Sequence, residues 1–298
     1  MILYKFQNFK TRGKVICPLL LMLSYAFSVD SKPQVNTDDA LTTKFEMMVD
    51  SAEYYSSIKR WNDAERLTIK ALKLHPANKS NWLLWANLAE IRRNLDDNEG
   101  ALEAYNIGLS LQSQSASMLS GRAELYIQKG EKEEALKDLD NLIHLNPDAE
   151  TARIMRGWMR FENRNLKNAE EDFNYVITKF PDNPQGYNGL AAIKSSNHLN
   201  EEALKLYSKS LDLQPDETIY FYKTVLLIDI GKLTEASDTL RESMKKFPRN
   251  GNLYLLRAYL HKLNFQNEEA EIAIKLAKEY ACDSNLLEKF FPKNGEKH

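Results

Sequence analysis

The 298-residue sequence predicts an all-α protein, a right-handed superhelical solenoid of antiparallel helix pairs. Three observations carry that expectation. A phrase close to EEALKLYSKSLDLQPDE (Glu201–Glu217) recurs along the chain, small residues return in register about every 34 residues, and a proline stands twelve residues behind most of them. A catalytic site is needed once in a chain, whereas a phrase repeated this often is a structural module.

The first residues stand apart from that pattern. Lys5, Lys10, Arg12 and Lys14 precede the apolar run VICPLLLMLSYAF (Val15–Phe27), and Ala26-Phe27-Ser28 places small residues at the two positions a signal peptidase reads. Basic start, short apolar middle and small-residue exit together describe a secretory signal peptide over residues 1–28. The run is shorter than a membrane-spanning helix requires. An uncleaved anchor over residues 15–27 is the rival reading. A lipoprotein is a weaker one, because Cys17 precedes the leucines instead of following them. Cleavage would leave 36 basic against 42 acidic residues, a net of −6, and the single cysteine Cys282. A chain exported to a periplasmic or secreted location would then have no internal disulfide, and packing must supply its stability.

Residues 29–44 follow as a linker and the start of the first helix, which Thr37 or Asp38 caps and which runs to about Ile58. From there to residue 284 the period takes over. Aligned small residues fall at Ala64, Ala101, Ala135, Ala169, Ala203, Ala236 and Ala270, at intervals of 37, 34, 34, 34, 33 and 34. Twelve residues earlier stand Ala52, Ala89, Ala123, Gly157, Ala191, Thr224 and Ala258, and four later stand the bulkier Thr68, Tyr105, Leu139, Phe173, Tyr207, Leu240 and Ile274. Paired small residues let two antiparallel helices approach closely, and the bulky residue fills the gap beside them. Pro76, Pro147, Pro181, Pro215 and Pro248 end each second helix, because proline cannot continue one. Asp148, Asp182 and Asp216 behind three of those prolines are placed to cap the next helix. Glu133/Glu134, Glu201/Glu202 and Glu268/Glu269 fall in the first turn of a second helix, where the helix dipole favours negative charge. Recurrence at one structural position makes these acids dipole partners, not an acid–base pair. The turn over Arg93–Asn98 is expected to be looser than the others. At the C-terminus, residues 285–298 form a capping helix and tail, with Leu286, Leu287, Phe290 and Phe291 on one face to cover the last repeat.

These residues carry a resemblance to the tetratricopeptide repeat (TPR) family, in the offsets of Leu-Gly, Tyr, Ala, Tyr/Phe, Ala and Pro. About seven repeats can be written, beginning at Phe45, Trp82, Ala116, Glu150, Pro184, Glu217 and Gly251. The chain departs from the pattern at Ser113 and Cys282, which occupy proline positions, and in the three extra residues before repeat two.

The resemblance implies a concave groove lined by the first helix of each repeat, with contacts at positions two, five, nine and twelve. Position five holds Val49, Ala86, Ser120, Ile154, Asn188, Phe221 and Leu255; position nine holds Glu53, Glu90, Glu124, Trp158, Ala192, Val225 and Tyr259. Position twelve holds Ser56, Arg93, Ile127, Phe161, Ser195, Ile228 and Lys262. Family members that grip chaperone tails use Lys at five and Asn at nine; neither occurs here. Glu53, Glu90, Arg93, Glu124, Trp158, Phe161, Asn188, Phe221 and Tyr259 are the expected partner-binding residues. That groove is acidic over repeats one to three and apolar and aromatic over four, six and seven, which suits a segment basic at one end and hydrophobic at the other. Trp158, Phe161, Phe221 and Tyr259 are its expected anchors, with packing between helices as the plain alternative for each ring.

Composition and motifs turn the expectation away from catalysis. With 43% hydrophobic and 28% charged residues and little Gly or Pro, the chain suits a soluble helical protein with a sizeable core. A net charge of −2 gives no nucleic-acid footprint. His75, His144, His198 and His261 take four different repeat positions and His298 is the terminus, so no pair has metal-ligand spacing. There is no glycine-rich phosphate loop and no Gly-x-Ser-x-Gly elbow. The expected function is non-enzymatic, without cofactor, metal, nucleic acid or small-molecule substrate: an adaptor that holds a protein or peptide segment while an envelope or secreted complex assembles. A self-associating scaffold with no extended ligand is the alternative. Membrane contact follows only if the N-terminal segment stays uncleaved.

Overall fold

The computed structural model describes residues 37–292, so the proposed signal peptide, its anchor alternative and His298 lie outside the described residues. Among those residues every regular element is helical, and helix follows helix in packed antiparallel pairs. The chain divides into two compact units at Asn141 and Leu142. The first holds α1 (Thr37–Ser57), α2 (Trp61–Leu74), α3 (Trp82–Asn94), α4 (Asn98–Leu111), α5 (Ala116–Lys129) and most of α6 (Lys132–Leu145). The second holds α7 (Glu150–Glu162), α8 (Leu166–Lys179), α9 (Pro184–Ser196), α10 (Asn200–Leu213), α11 (Glu217–Asp229), α12 (Leu233–Lys246), α13 (Gly251–Leu263), α14 (Asn267–Glu279) and the short α15 (Ser284–Phe290). No described helix is long and apolar enough to cross a membrane.

Close approach of the paired helices rests on the small residues. Ala64, Ala101, Ala135, Ala169, Ala203 and Ala236 are wholly buried, as are Ala89, Ala123, Ala191 and Ala258 opposite them. Where a polar residue shares the register, it is satisfied locally. Thr224 donates from Oγ1 to the Tyr220 carbonyl at 2.8 Å, and Thr68 to the Ala64 carbonyl at 2.9 Å. Bulky partners four residues on fill sockets that glycine opens. Phe173 lies between Gly157 and Gly189, and a Cβ on either would fall inside contact distance of its ring. Tyr105 meets Gly121 in the same way.

Within each unit, positions three and ten of the first helices tie a repeat to the second helix before it. Leu84 and Ile91, Met118 and Leu125, Ile219 and Leu226, and Leu253 and Leu260 are all buried in helices that pack against the preceding one. Repeat one has no such helix among the described residues, and its residues at these positions, Met47 and Tyr54, stay largely exposed.

Every turn inside a pair reverses direction through one left-handed residue: Lys59, Asp96, Gly130, Arg164, His198, Gly231 and Phe265, all with φ between 60° and 77°. The residue after each one donates its N–H to the carbonyl five places earlier, from Arg60 to Tyr55 through Gln266 to His261, at 2.8–2.9 Å. That is the Schellman closure of a helix C-terminus, and the left-handed residue is what allows it. The Arg93–Asn98 turn is therefore no looser than the rest, which corrects the sequence expectation. The three extra residues before repeat two lie elsewhere, in a 3₁₀ turn over Lys79–Asn81, where the buried Asn81 donates from Nδ2 to the His75 carbonyl at 2.6 Å.

The capping expectation holds for one aspartate of three. Asp216 accepts from the Thr218 and Ile219 amides at the start of α11. At α9 the cap is Asn183, whose Oδ1 accepts from the Gln185 amide, with Pro184 at the first helical position. At α7 the cap residue is Ala149, and Asp148 instead accepts from the Tyr175 hydroxyl. The paired acids do stand in the first turns of α6, α10 and α14.

Left-handed backbone costs a non-glycine residue on the order of 1 kcal/mol. A Cβ at Gly130 or Gly231 would meet nothing within 4 Å, so alanine there isolates the backbone term. Gly130→Ala and Gly231→Ala are expected to lose about 1 kcal/mol each, and Arg164→Gly and His198→Gly to gain up to about 1 kcal/mol, in urea unfolding. Equal midpoints for all four variants would contradict this account of the turns.

Candidate partner-binding site

In the first unit, α3 and α5 set Glu90, Arg93 and Glu124 beside one another. Arg93 donates from Nη2 to Glu124 at 2.6 Å and from Nη1 to Glu90 at 3.2 Å. From beneath, the hydroxyl of Tyr105 on α4 donates to the same Glu90 carboxylate. The hydroxyl has room to do so because Gly121 carries no side chain; a Cβ there would stand only 2.1 Å from it. Burial, then the neighbouring Glu90, pushes the Tyr105 phenol well above its ordinary range. Burial works against the Arg93 charge too, but Tyr105, Glu90 and Glu124 outweigh it and raise the pKa, so the guanidinium stays charged. The acidic stretch expected over repeats two and three is thus a mixed-charge chain, with Arg93 bridging two carboxylates that each keep a wet side. Glu53, on α1, is part-buried, and its carboxyl is pulled upward by burial first and by Asp50 second.

In the second unit the expected residues sit at different depths. Trp158 on α7 is part-exposed; its indole meets the Phe161 ring edge-on at 5.8 Å and the Phe173 ring at 5.1 Å. Phe161 is only 4% exposed and Phe221 9%, so both rings belong largely to the helix packing. Asn188 is 3% exposed, and its Oδ1 has no hydrogen-bond partner among the described residues. Tyr259 on α13 is covered from the C-terminal side, with Phe290 at 4.8 Å and Phe291 at 6.3 Å. Lys262, one turn on, lies 5.0 Å over the Phe291 ring. The structure therefore brings together Glu90, Arg93 and Glu124, and separately Trp158 and Phe161. Phe221 lies against Tyr222 and Tyr259 against the last helix.

Two features escaped the sequence reading. One is the reach of Tyr105 to the charged chain. The other is a pair of buried aspartates, Asp138 and Asp172, each forked by an arginine sixteen residues earlier. Arg122 binds Asp138 at 2.8 and 2.7 Å, and Arg156 binds Asp172 at 3.1 and 2.6 Å, with Arg160 adding a third bond at 2.9 Å. The signal was available, since both arginines and both aspartates recur 34 residues apart. A cavity of about 250 Å³ beside Tyr220, Lys223, Glu242 and Lys246 is polar. There Tyr220 donates to Glu242, and Lys246 donates to the Tyr220 hydroxyl at 2.9 Å.

Comparison with known proteins bears on the fold. Residues 120–184 match the family model described as tetratricopeptide repeat. The crystal structure of a tetratricopeptide repeat protein from Parabacteroides merdae superposes with a TM-score of 0.69 at 24% identity, covering 83% of this chain and 97% of that one. PilW, a type IV pilus biogenesis factor, superposes with a TM-score of 0.57 at 19% identity, over 70% of this chain and 96% of its own. Residues 120–184 are thus similar to tetratricopeptide repeats, and the described residues share the fold of proteins built from such repeats. In sequence the chain is 28% identical over 130 residues to the human mitochondrial import receptor subunit TOM70, 41% of this chain and 21% of that protein. It is 24% identical over 206 residues to the human protein O-mannosyl-transferase TMTC1, 67% of this chain and 23% of that protein. The chain spans only 21–31% of the length of the curated relatives it matches.

The Tyr105–Gly121 socket gives a direct check on the charged chain. Gly121→Ala is expected to cost roughly 1–3 kcal/mol through overpacking. The cost should shrink when Tyr105→Phe removes the hydroxyl that the new methyl would strike. A double-mutant cycle that is strictly additive would show that the two residues do not share this space.

Proposed function

We propose that the protein is a non-enzymatic adaptor, which holds a segment of a partner protein on the first-helix face of its repeats while a cell-envelope or secreted complex assembles. The observation that carries this reading is the mixed-charge chain Glu90–Arg93–Glu124. A stack stabilised by apolar packing has no structural need for three charged side chains at consecutive groove registers, and each keeps exposed surface. Half-exposed charge held in fixed geometry gives orientation and selectivity to a bound polar segment. Trp158, with its ring part-exposed above Phe161 and Phe173, supplies the apolar anchor in the second unit. Glu53, Asn188, Phe221 and Tyr259 complete the candidate set, the more buried ones by shaping the surface instead of reaching a ligand.

Export is part of the same proposal. It is supported by the basic start, the apolar run Val15–Phe27 and the small-residue exit at Ser28. PilW is a pilus biogenesis factor and TOM70 an import receptor subunit. Such roles are in keeping with an adaptor, and at these identities the likeness to PilW concerns the fold. The likeness to TMTC1 covers 23% of that transferase at 24% identity, so the reading stays non-catalytic.

In-cell crosslinking followed by affinity capture and mass spectrometry tests the reading. Glu90→Lys with Glu124→Lys, and Trp158→Ala separately, are expected to lower recovery of the main captured protein at least tenfold. Circular dichroism should show both variants still helical. Undiminished capture by both folded variants would end the groove reading.

A further inference from the structure

The C-terminal helix is seated differently from the first helices before it. α5, α9 and α13 each pack against both helices of the preceding repeat. α15 packs against α13 and, among the described residues, makes no comparable packing with α14. Nor does α14 ask for cover. Lys278 stands at its position twenty-eight, where the six earlier repeats carry an aliphatic residue from Leu72 to Met244, and Ile272 is 62% exposed. What α15 follows instead is the groove register of repeat seven. Its cap residue Asp283 donates its backbone amide to Oδ1 of Asn252, at position two, at 2.8 Å. Phe290 and Phe291 lie against Tyr259, at position nine, and Lys262, at position twelve, stands over the Phe291 ring. Desolvation raises the Asp229 carboxyl at the end of α11, and the Lys289 ammonium, near enough to be felt there, opposes that rise. No residue of α15 is buried, and seven residues are too few to hold a helix without neighbours. A helix held by a capped start and two rings belongs to the least stable part of such a structure.

We propose that α15 is the chain's own reversibly docked ligand for the groove at repeat seven, and that this site takes a segment carrying two adjacent aromatic side chains behind a lysine. Lys289, Phe290 and Phe291 supply that pattern from within the chain. Tyr259 meets the first ring face, and Lys262 holds the second by cation–π attraction. Asp229 answers the lysine charge. A segment arriving from a partner must displace α15, so its apparent affinity is reduced by the fraction of chains in which the helix is undocked. The inference rests on the adaptor reading for the choice of groove face, and it adds the chemistry of the segment bound at one end.

Fluorescence anisotropy with a labelled synthetic peptide of residues 284–298, added to the full chain, provides the test. The parent is expected to bind the peptide weakly. A chain with Phe290→Glu and Phe291→Glu, which frees its own helix, should bind it about tenfold more tightly. Tyr259→Ala on that background should abolish binding, as should the same two phenylalanine substitutions made in the peptide. Thermal melting by circular dichroism should match the parent in each variant. Absence of binding to the freed, folded chain would overturn the proposal, as would equal affinity in the parent and freed chains or binding that survives Tyr259→Ala. A freed chain that melts well below the parent would show that α15 is a fixed part of the stack, and would overturn it as well. The probe is the chain's own segment, so this outcome does not depend on whether a cellular partner is captured, and failure here is told apart from failure of the adaptor reading.

Discussion

Close contact between helix backbones is the constraint on which the rest of this structure depends. Two antiparallel helices joined by two or three residues must pack along most of their length, and bulk at the crossing would force them apart. The chain meets that demand with alanine, or glycine and threonine once each, at two registers in every repeat. Several other features follow from it. A bulky residue one turn later fills the flank of the crossing. Gly121 and Gly189 in the next first helix admit the rings of Tyr105 and Phe173. Interior packing is dense enough that one misplaced methyl is felt.

The part of the fold legible in the sequence is the part fixed by hard sterics. Alanine recurring at intervals near 34 has few explanations other than a repeated helix crossing, so the class, the pairing and the rough place of each helix could all be read. The turns were less legible because their requirement is conformational, and five of the seven left-handed positions are held by Lys, Asp, Arg, His and Phe instead of glycine. Seen singly these residues carry no turn signal; only the shared register exposes them. Capping was misjudged for a related reason. A proline followed by aspartate looks alike in three repeats, but the chain enters α7 and α9 one residue later than it enters α11, relative to that proline, so the aspartate misses the cap.

The candidate site was legible as a register and not as a depth. Offsets of five, nine and twelve select one face of each first helix. Whether a side chain on that face reaches solvent depends on its length and on the neighbours above and below it. Phe161 and Trp158 are three residues apart on α7, yet one is sunk in the packing and the other is part-exposed. The charged chain was half visible: Glu90, Arg93 and Glu124 could be named, but their joining through Arg93, and the hydroxyl of Tyr105 beneath them, needed coordinates. The exposed stripe on α1 could not be seen at all until the burial of equivalent positions in later repeats was available for comparison.

Equilibrium urea unfolding of Ala135→Trp and Ala203→Trp, one site in each unit, bears most directly on the central claim. Indole bulk at a wholly buried crossing should lower stability by roughly 1–3 kcal/mol or more in both variants. Transitions that coincide with that of the parent would mean the helices do not meet at these alanines, and the stacked-pair description would fail with them.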